Sequence, residues 1–181
     1  MKKTINIFCA VLLMAGFATT GMAQTSATVS ATAAGSKLIV PMTLTQTSPL
    51  HFGTINVLAG TGGTVQLPSN STTRVISSGL AASTISPVAT NAAYSVTGTM
   101  NATYALTLPA TIVVTETVGS TAVMTINALT ARFNGAAADA LVSTLSATGT
   151  DDFTVGGTLT VTEAQISGIY AGTFPVTVDY N

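Results

Sequence analysis

Apolar residues recur along this chain at every second position far more often than at every third or fourth, as in Tyr104-Ala-Leu-Thr-Leu108 and Phe174-Pro-Val-Thr-Val-Asp-Tyr180. Side chains of a strand point alternately to its two faces, so a period of two predicts strands that bury one face. The spacing predicts strands over Leu38–Thr45, Leu50–Val57, Thr64–Leu67, Arg74–Ser77, Ala93–Gly98, Tyr104–Leu108, Ile112–Val118, Ala122–Leu129, Phe153–Val155, Thr158–Thr162 and Gly172–Tyr180. Turn-forming clusters separate them: Ala59–Gly63, Pro68–Asn70, Gly98 with Asn101, Gly119-Ser120, Gly149 with Asp151, Gly156-Gly157 and Ser167-Gly168. The alanine-rich stretch Gly135–Ala140 reads as a loop excursion. Many short strands punctuated by turns predict an all-β, antiparallel domain of sandwich or barrel type.

Two segments of this pattern raise a question about partners. In the terminal run, Phe174, Val176, Val178 and Tyr180 share one face, and Thr173, Pro175, Thr177 and Asp179 share the other. The alternation continues to the penultimate residue, so the apolar face needs a cover. Near the other end, residues 25–36 are a low-complexity stretch in which Ala27, Val29, Ala31 and Ala33 share one face if the backbone is extended. Twelve residues in that conformation reach about 40 Å at roughly 3.3 Å each, enough to line the edge of a sandwich. The stretch reads as a weak strand or as an arm in front of the domain.

What precedes the arm sets the expected compartment. Lys2 and Lys3 stand before an apolar run from Ile5 to Phe17, followed by Gly21-Met22-Ala23. This is the pattern of a secretory signal peptide cleaved after Ala23, which divides the chain into a signal at 1–23, an arm at 24–36 and a β-domain at 37–181. The expected route is through the periplasm to the cell surface or the extracellular space. No later stretch approaches the 18 or so apolar residues of a spanning helix. Cys9, the single cysteine, lies inside the signal, so the exported chain is expected to hold neither disulfide nor thiol nucleophile.

Charge narrows the partners. Charged residues make up 6% of the chain, and loss of Lys2 and Lys3 makes its formal charge two units more negative than the −1 of the full sequence. Nucleic acid and anionic membrane surfaces are therefore not expected partners. A strand-rich chain with so little surface charge repels its neighbours weakly, as an associating protein can.

Candidate chemistry is sparse. His51, the single histidine, alternates with Leu50 and Phe52 and is expected on the solvent face of its strand. No serine stands in a Gly-x-Ser-x-Gly elbow, and no cluster has transition-metal spacing. Asp151-Asp152 lacks the alternating aspartates of a calcium loop and reads as a turn before Phe153. Gly60–Thr64 lacks the Gly-Lys-Ser/Thr ending of a phosphate loop and reads as a hairpin turn. Asn70-Ser71-Thr72 and Asn101-Ala102-Thr103 match a glycosylation pattern that arises readily in a threonine-rich chain. Four tyrosines, six phenylalanines and no tryptophan cannot supply the two aromatic girdles of a membrane barrel. The expectation is a protein that is not an enzyme and that uses no cofactor and no metal.

Four segments in order, Leu50–Ile55, Ala93–Gly98, Tyr104–Pro109 and Phe153–Val161, followed by Gly168–Asn181, resemble domain-of-unknown-function family 4402. That family is similar to the spore coat protein U domain and, more distantly, to the fimbrial pilins of the chaperone-usher pathway. Pilins carry a glycine fourteen residues from the C-terminus and a penultimate tyrosine, positions that Gly168 and Tyr180 match. The cysteine pair of many pilins has no counterpart.

The resemblance implies an incomplete immunoglobulin-like, pilin-like β-sandwich with an N-terminal strand-forming arm. Its last strand would border a groove filled by a strand from elsewhere. It implies assembly through Gly168, Phe174, Val176, Val178 and Tyr180 on the groove side and Ala27, Val29, Ala31 and Ala33 on the arm. The implied partners are copies of the chain or related subunits, with a periplasmic chaperone and an outer-membrane usher. The competing expectation is a self-contained secreted binding module, such as a glycan-binding adhesin, whose arm closes its own groove.

Overall fold

The computed structural model describes residues 35–58, 61–77 and 79–181. The expected signal peptide with its Ala23 cleavage site, and Ala27, Val29, Ala31 and Ala33 of the arm, lie outside the described residues. Leu38–Asn181 forms a compact unit. Every regular element described in it is a strand, and every pairing is antiparallel. The chain is all-β.

The large sheet runs in the order β1 (Thr43–Ser48), β8 (Ala92–Thr97), β13 (Thr150–Val161), β11 (Val123–Phe133), β10 (Thr111–Glu116) and β14 (Tyr170–Ala171). Its spine is β13, whose one edge pairs with β11 while the other is shared. Thr150–Val155 pair with β8, and Gly157–Val161 pair with β4 (Gly63–Leu67), which in turn pairs with β5 (Val75–Ile76). The handover falls at Gly156, where a side chain would collide with Leu67 O and lie 2.6 Å from Ser69 N. Gly156 is therefore a place where another backbone passes close, and Gly157 one where the Leu129 side chain does, so the pair is not the turn expected from its glycines. The two strands expected at 153–155 and 158–162 are one strand, and Asp151 and Asp152 lie within it rather than in a turn.

A second sheet of three strands, β12 (Val142–Thr144), β9 (Thr103–Thr107) and β15 (Thr177–Tyr180), faces one end of the first. Tyr104 and Leu106 of β9 meet Tyr94, Val96, Phe133, Phe153 and Val155 of the large sheet in the first core cluster. Tyr94 stacks on Phe153 with ring centroids 5.1 Å apart, and Phe133 stands edge-on to both Phe153 and Tyr104. The Tyr104 hydroxyl donates to Asp151 Oδ2 at 3.0 Å, and Ser143 Oγ donates to the same atom at 2.6 Å, so one carboxylate ties the two sheets together. Burial, and then the negative charge of Asp151, push the Tyr104 phenol well above its ordinary range.

At the other end, Phe52, Val65, Leu67, Leu80, Ile112, Val114, Ile126, Leu159 and Val161 form a second cluster. Leu50, Leu129 and Phe174 pack against both clusters and join them. Two short ladders cover part of the second cluster: β2 (His51–Phe52) with β7 (Ala89–Thr90), and β3 (Ile55–Val57) with β6 (Leu80–Ala82).

Other expected boundaries shift for local reasons. The first strand begins at Thr43, and Leu38, Ile39 and Val40 are exposed. The strand expected over 50–57 breaks at Gly53, whose φ is +74°. The strand expected to stop at Leu129 passes through a bulge, with Ala128 at φ +48°, and continues to Phe133. Gly60 lies outside the described residues, and the strands on either side of the expected hairpin turn do not pair with each other: β3 pairs with β6, and β4 with β13 and β5. No helix among the described residues is long and apolar enough to cross a membrane.

Candidate functional site

The segments that cover the second cluster leave a groove between them. Between the β2–β3 segment and the segment from Gln165 to Phe174 lies a groove of about 910 Å³. Its floor is Ile112 and Val114 of β10, Met124 and Ile126 of β11, and Leu159 and Val161 of β13. These side chains share one face because β10, β11 and β13 are neighbours in register: Ile112 lies opposite Ile126, and Ile126 opposite Leu159.

The first wall is Leu50–Leu58. Its pairing partners β7 and β6 are short, and Thr54 N adds a bond to Pro87 O at 3.1 Å and Leu58 N one to Gly79 O at 2.9 Å. At the Gly53 kink, Gly53 N donates to Nδ1 of His51 at 2.8 Å. His51 is half-buried and lines the groove, which corrects its expected place on a solvent face. The ring is held by its own backbone turn, and alternation could not show that because the turn interrupts the strand.

The second wall is bound at its tip. Gln165 Nε2 donates to Val123 O and to the Tyr170 hydroxyl, which itself donates to Ile166 O at 2.6 Å. Thr117 N donates to Ile169 O at 2.8 Å, and Tyr170 and Ala171 pair with β10. Gly168 sits on Glu116, where an added Cβ would fall 2.8 Å from both Cγ and Oε1. That carboxylate cannot easily yield, since it is buried and accepts from Val118 N and Ser120 N. Gly168 is thus required locally by close packing against the β10–β11 turn.

Below this tip the wall changes character. Gly172–Val176 pairs with no other strand among the described residues, and regular pairing resumes only in β15. Phe174, Val176, Val178 and Tyr180 are half-buried against the first cluster, while Thr173, Pro175, Thr177 and Asp179 are exposed. The Tyr180 hydroxyl donates to Val40 O at 2.6 Å and accepts from Thr99 N at 2.7 Å. Of the residues singled out in the sequence, Gly168 and Phe174 line the groove. Val176, Val178 and Tyr180 extend from it along the first cluster. The floor and the Leu50–Leu58 wall escaped sequence reasoning as a site, because their alternation is that of any core strand.

Chemically the groove offers apolar side chains and backbone groups. Glu163 is its one carboxylate and His51 its one imidazole, and no three His, Cys, Asp or Glu gather among the described residues. Such a site suits an extended, apolar peptide better than a polar small molecule.

The family profile described as a domain of unknown function (DUF4402) matches residues 42–180. The chain belongs to the DUF4402 family. The matched span contains both walls and the floor of the groove, and it ends on Tyr180. No curated protein matches the chain.

Proposed function

We propose that this DUF4402 chain is a secreted, non-enzymatic surface subunit, pilin-like or coat-like, whose incomplete immunoglobulin-like sandwich is completed by a strand from a second copy. The observation that carries this reading is the groove. It has an apolar floor, and one of its walls, Gly172–Val176, carries strand-like alternation without a strand partner among the described residues. Strand addition supplies main-chain hydrogen bonds, each contributing about 0.5–1.5 kcal/mol net, and alternating side chains set the register. Residues 24–36, with Ala27, Val29, Ala31 and Ala33 on one face, are the proposed donor. Related subunits, a periplasmic chaperone and an outer-membrane usher are further proposed partners.

A second reading has its own support. Tyr180 and Thr99 bind Val40, so the root of the chain's own arm is held beside β15. The arm could then close its own groove, leaving a monomeric binding module. Cysteine pairing separates the two readings, because the exported chain is expected to have no thiol of its own. An Ala31→Cys protein mixed with an Ile169→Cys protein should form a disulfide-linked heterodimer if arms are exchanged. If the double variant instead links within single chains, and light scattering finds the intact protein monomeric at every concentration, strand exchange is wrong.

A further inference from the structure

Besides its two short ladders and the backbone bonds of Thr54 and Leu58, the Leu50–Leu58 wall is held from behind by one cation. Arg74 lies just before β5, and its Nη1 donates to Phe52 O at 3.0 Å and Thr54 O at 2.8 Å, while Nη2 donates to Ser83 O at 3.0 Å. Phe52 and Thr54 flank the Gly53 kink and line the groove. Ser83 directly follows β6, the strand that backs β3. The one ion pair among the described residues joins Arg132 to Asp139, so the Arg74 guanidinium has only carbonyls to satisfy. The fit is close, since a Cβ at position 53 would fall 2.8 Å from Nη1 and 2.9 Å from Ala89 N.

Three carbonyl oxygens converging on one point repel one another unless a donor stands between them, and partly buried acceptors left unmet are costly. A planar guanidinium meets such a set with fixed geometry, whereas a lysine ammonium is a point charge on a flexible stem. The guanidinium therefore helps hold the bend at Gly53, together with the Gly53 N bond to His51 Nδ1. The backbone it holds, at Phe52 and Thr54, lines the groove opposite Gly172 and Phe174. An incoming strand needs the separation across the groove held, because neighbouring strands lie about 4.8 Å apart in the hydrogen-bonding direction.

We infer that Arg74 is a positioning residue of the groove, fixing its kinked wall at the spacing that admits an extended peptide with small apolar side chains. The inference rests on the strand-complementation reading for its ligand but not for its geometry.

The test uses the full exported chain carrying Arg74→Lys, with Arg74→Met as a second variant. Arg132→Met serves as control, since it breaks an ion pair outside the groove. Amide exchange of Thr54–Leu58 should be about tenfold faster in Arg74→Lys, with the amides of β9 and β13 unchanged. In the Ala31→Cys and Ile169→Cys backgrounds, the rate of arm-to-wall linkage should fall by about tenfold. Arg132→Met should alter neither. Unchanged exchange at Thr54–Leu58 would overturn the inference, as would faster exchange with undiminished linkage or an equal loss of linkage in Arg132→Met. Complete absence of linkage with native Arg74 in place is a different failure. It refutes the strand-complementation reading and this ligand, while the exchange data still decide whether Arg74 holds the wall.

Discussion

The two ends of the domain are built from the same strands and differ in what covers them. At the closed end, β9 and β15 lie over β8, β11 and β13, and Tyr104, Val96 and Val155 have no exposed surface. At the open end, β10, β11 and β13 present an equally apolar face whose side chains are also buried, but their cover is two short ladders and a bent segment with a groove between them. The difference teaches that an apolar strand face specifies a need for cover without specifying where the cover comes from. The closed end draws it from this chain, and the open end is where a further strand is proposed to enter.

Mutations at the two ends should break or sharpen this contrast. The largest effect is expected at the closed end. Phe153→Ala removes a buried ring packed on Tyr94 and Phe133, and it should cost about 3–5 kcal/mol in equilibrium urea unfolding. Ile126→Ala, on the groove floor, should cost about 2 kcal/mol, at the low end for such truncations, since its surroundings are already partly open. Equal losses would mean that the open end is packed as tightly as the closed one.

Next in size is a pair on the terminal strand. Val178→Asp places a charge against the first cluster and should cost about 2 kcal/mol or more with several-fold less soluble export. Thr177→Asp lies on the exposed face and should stay within about 0.5 kcal/mol. Similar export of the two variants would show that the buried face of β15 does not matter to folding.

A smaller effect should appear with pH. The Tyr104 phenol is raised above its ordinary value by burial and by Asp151, so its neutral form is favoured in the folded state. Its stabilising contribution is then fully present below about pH 10, the unfolded value, and is lost as pH climbs through the folded value. Tyr104→Phe should flatten that alkaline loss in thermal melts, and an unchanged slope would exclude this phenol as its origin.

The smallest effect belongs to Asp139. Burial pushes its carboxyl up, but hydrogen bonds from Ser69 and Arg132 outweigh this and lower it overall. That contribution is present above the unfolded value near pH 4 and fades as pH falls through the folded one. Arg132→Met should therefore reduce stability slightly at neutral pH and less in acid, as thermal melts at both pH values would show.

Some of this was legible in the sequence for a simple reason. The period of two determines which side chains share a face, and that is a local property of extended backbone. The all-β class and the inward face of Phe174, Val176, Val178 and Tyr180 follow from it. Of the groove residues, Gly168 is marked by a family resemblance and Phe174 by alternation. The strands β6, β7, β12 and β14 were not legible, because two or three residues carry too little periodicity to register. Nor was Arg74, whose three acceptors come from segments 9 to 22 positions away.

By itself, then, the sequence determined the all-β class and the facing of its longer alternating runs. The tertiary structure alone decided which edges pair, why Gly156-Gly157 lies inside a strand, and where the large sheet is left partly uncovered. The physical reason is that backbone hydrogen-bonding groups are the same in every strand. Pairing is therefore chosen by non-local packing and by close approaches such as that of Leu67 to Gly156, which no local pattern records.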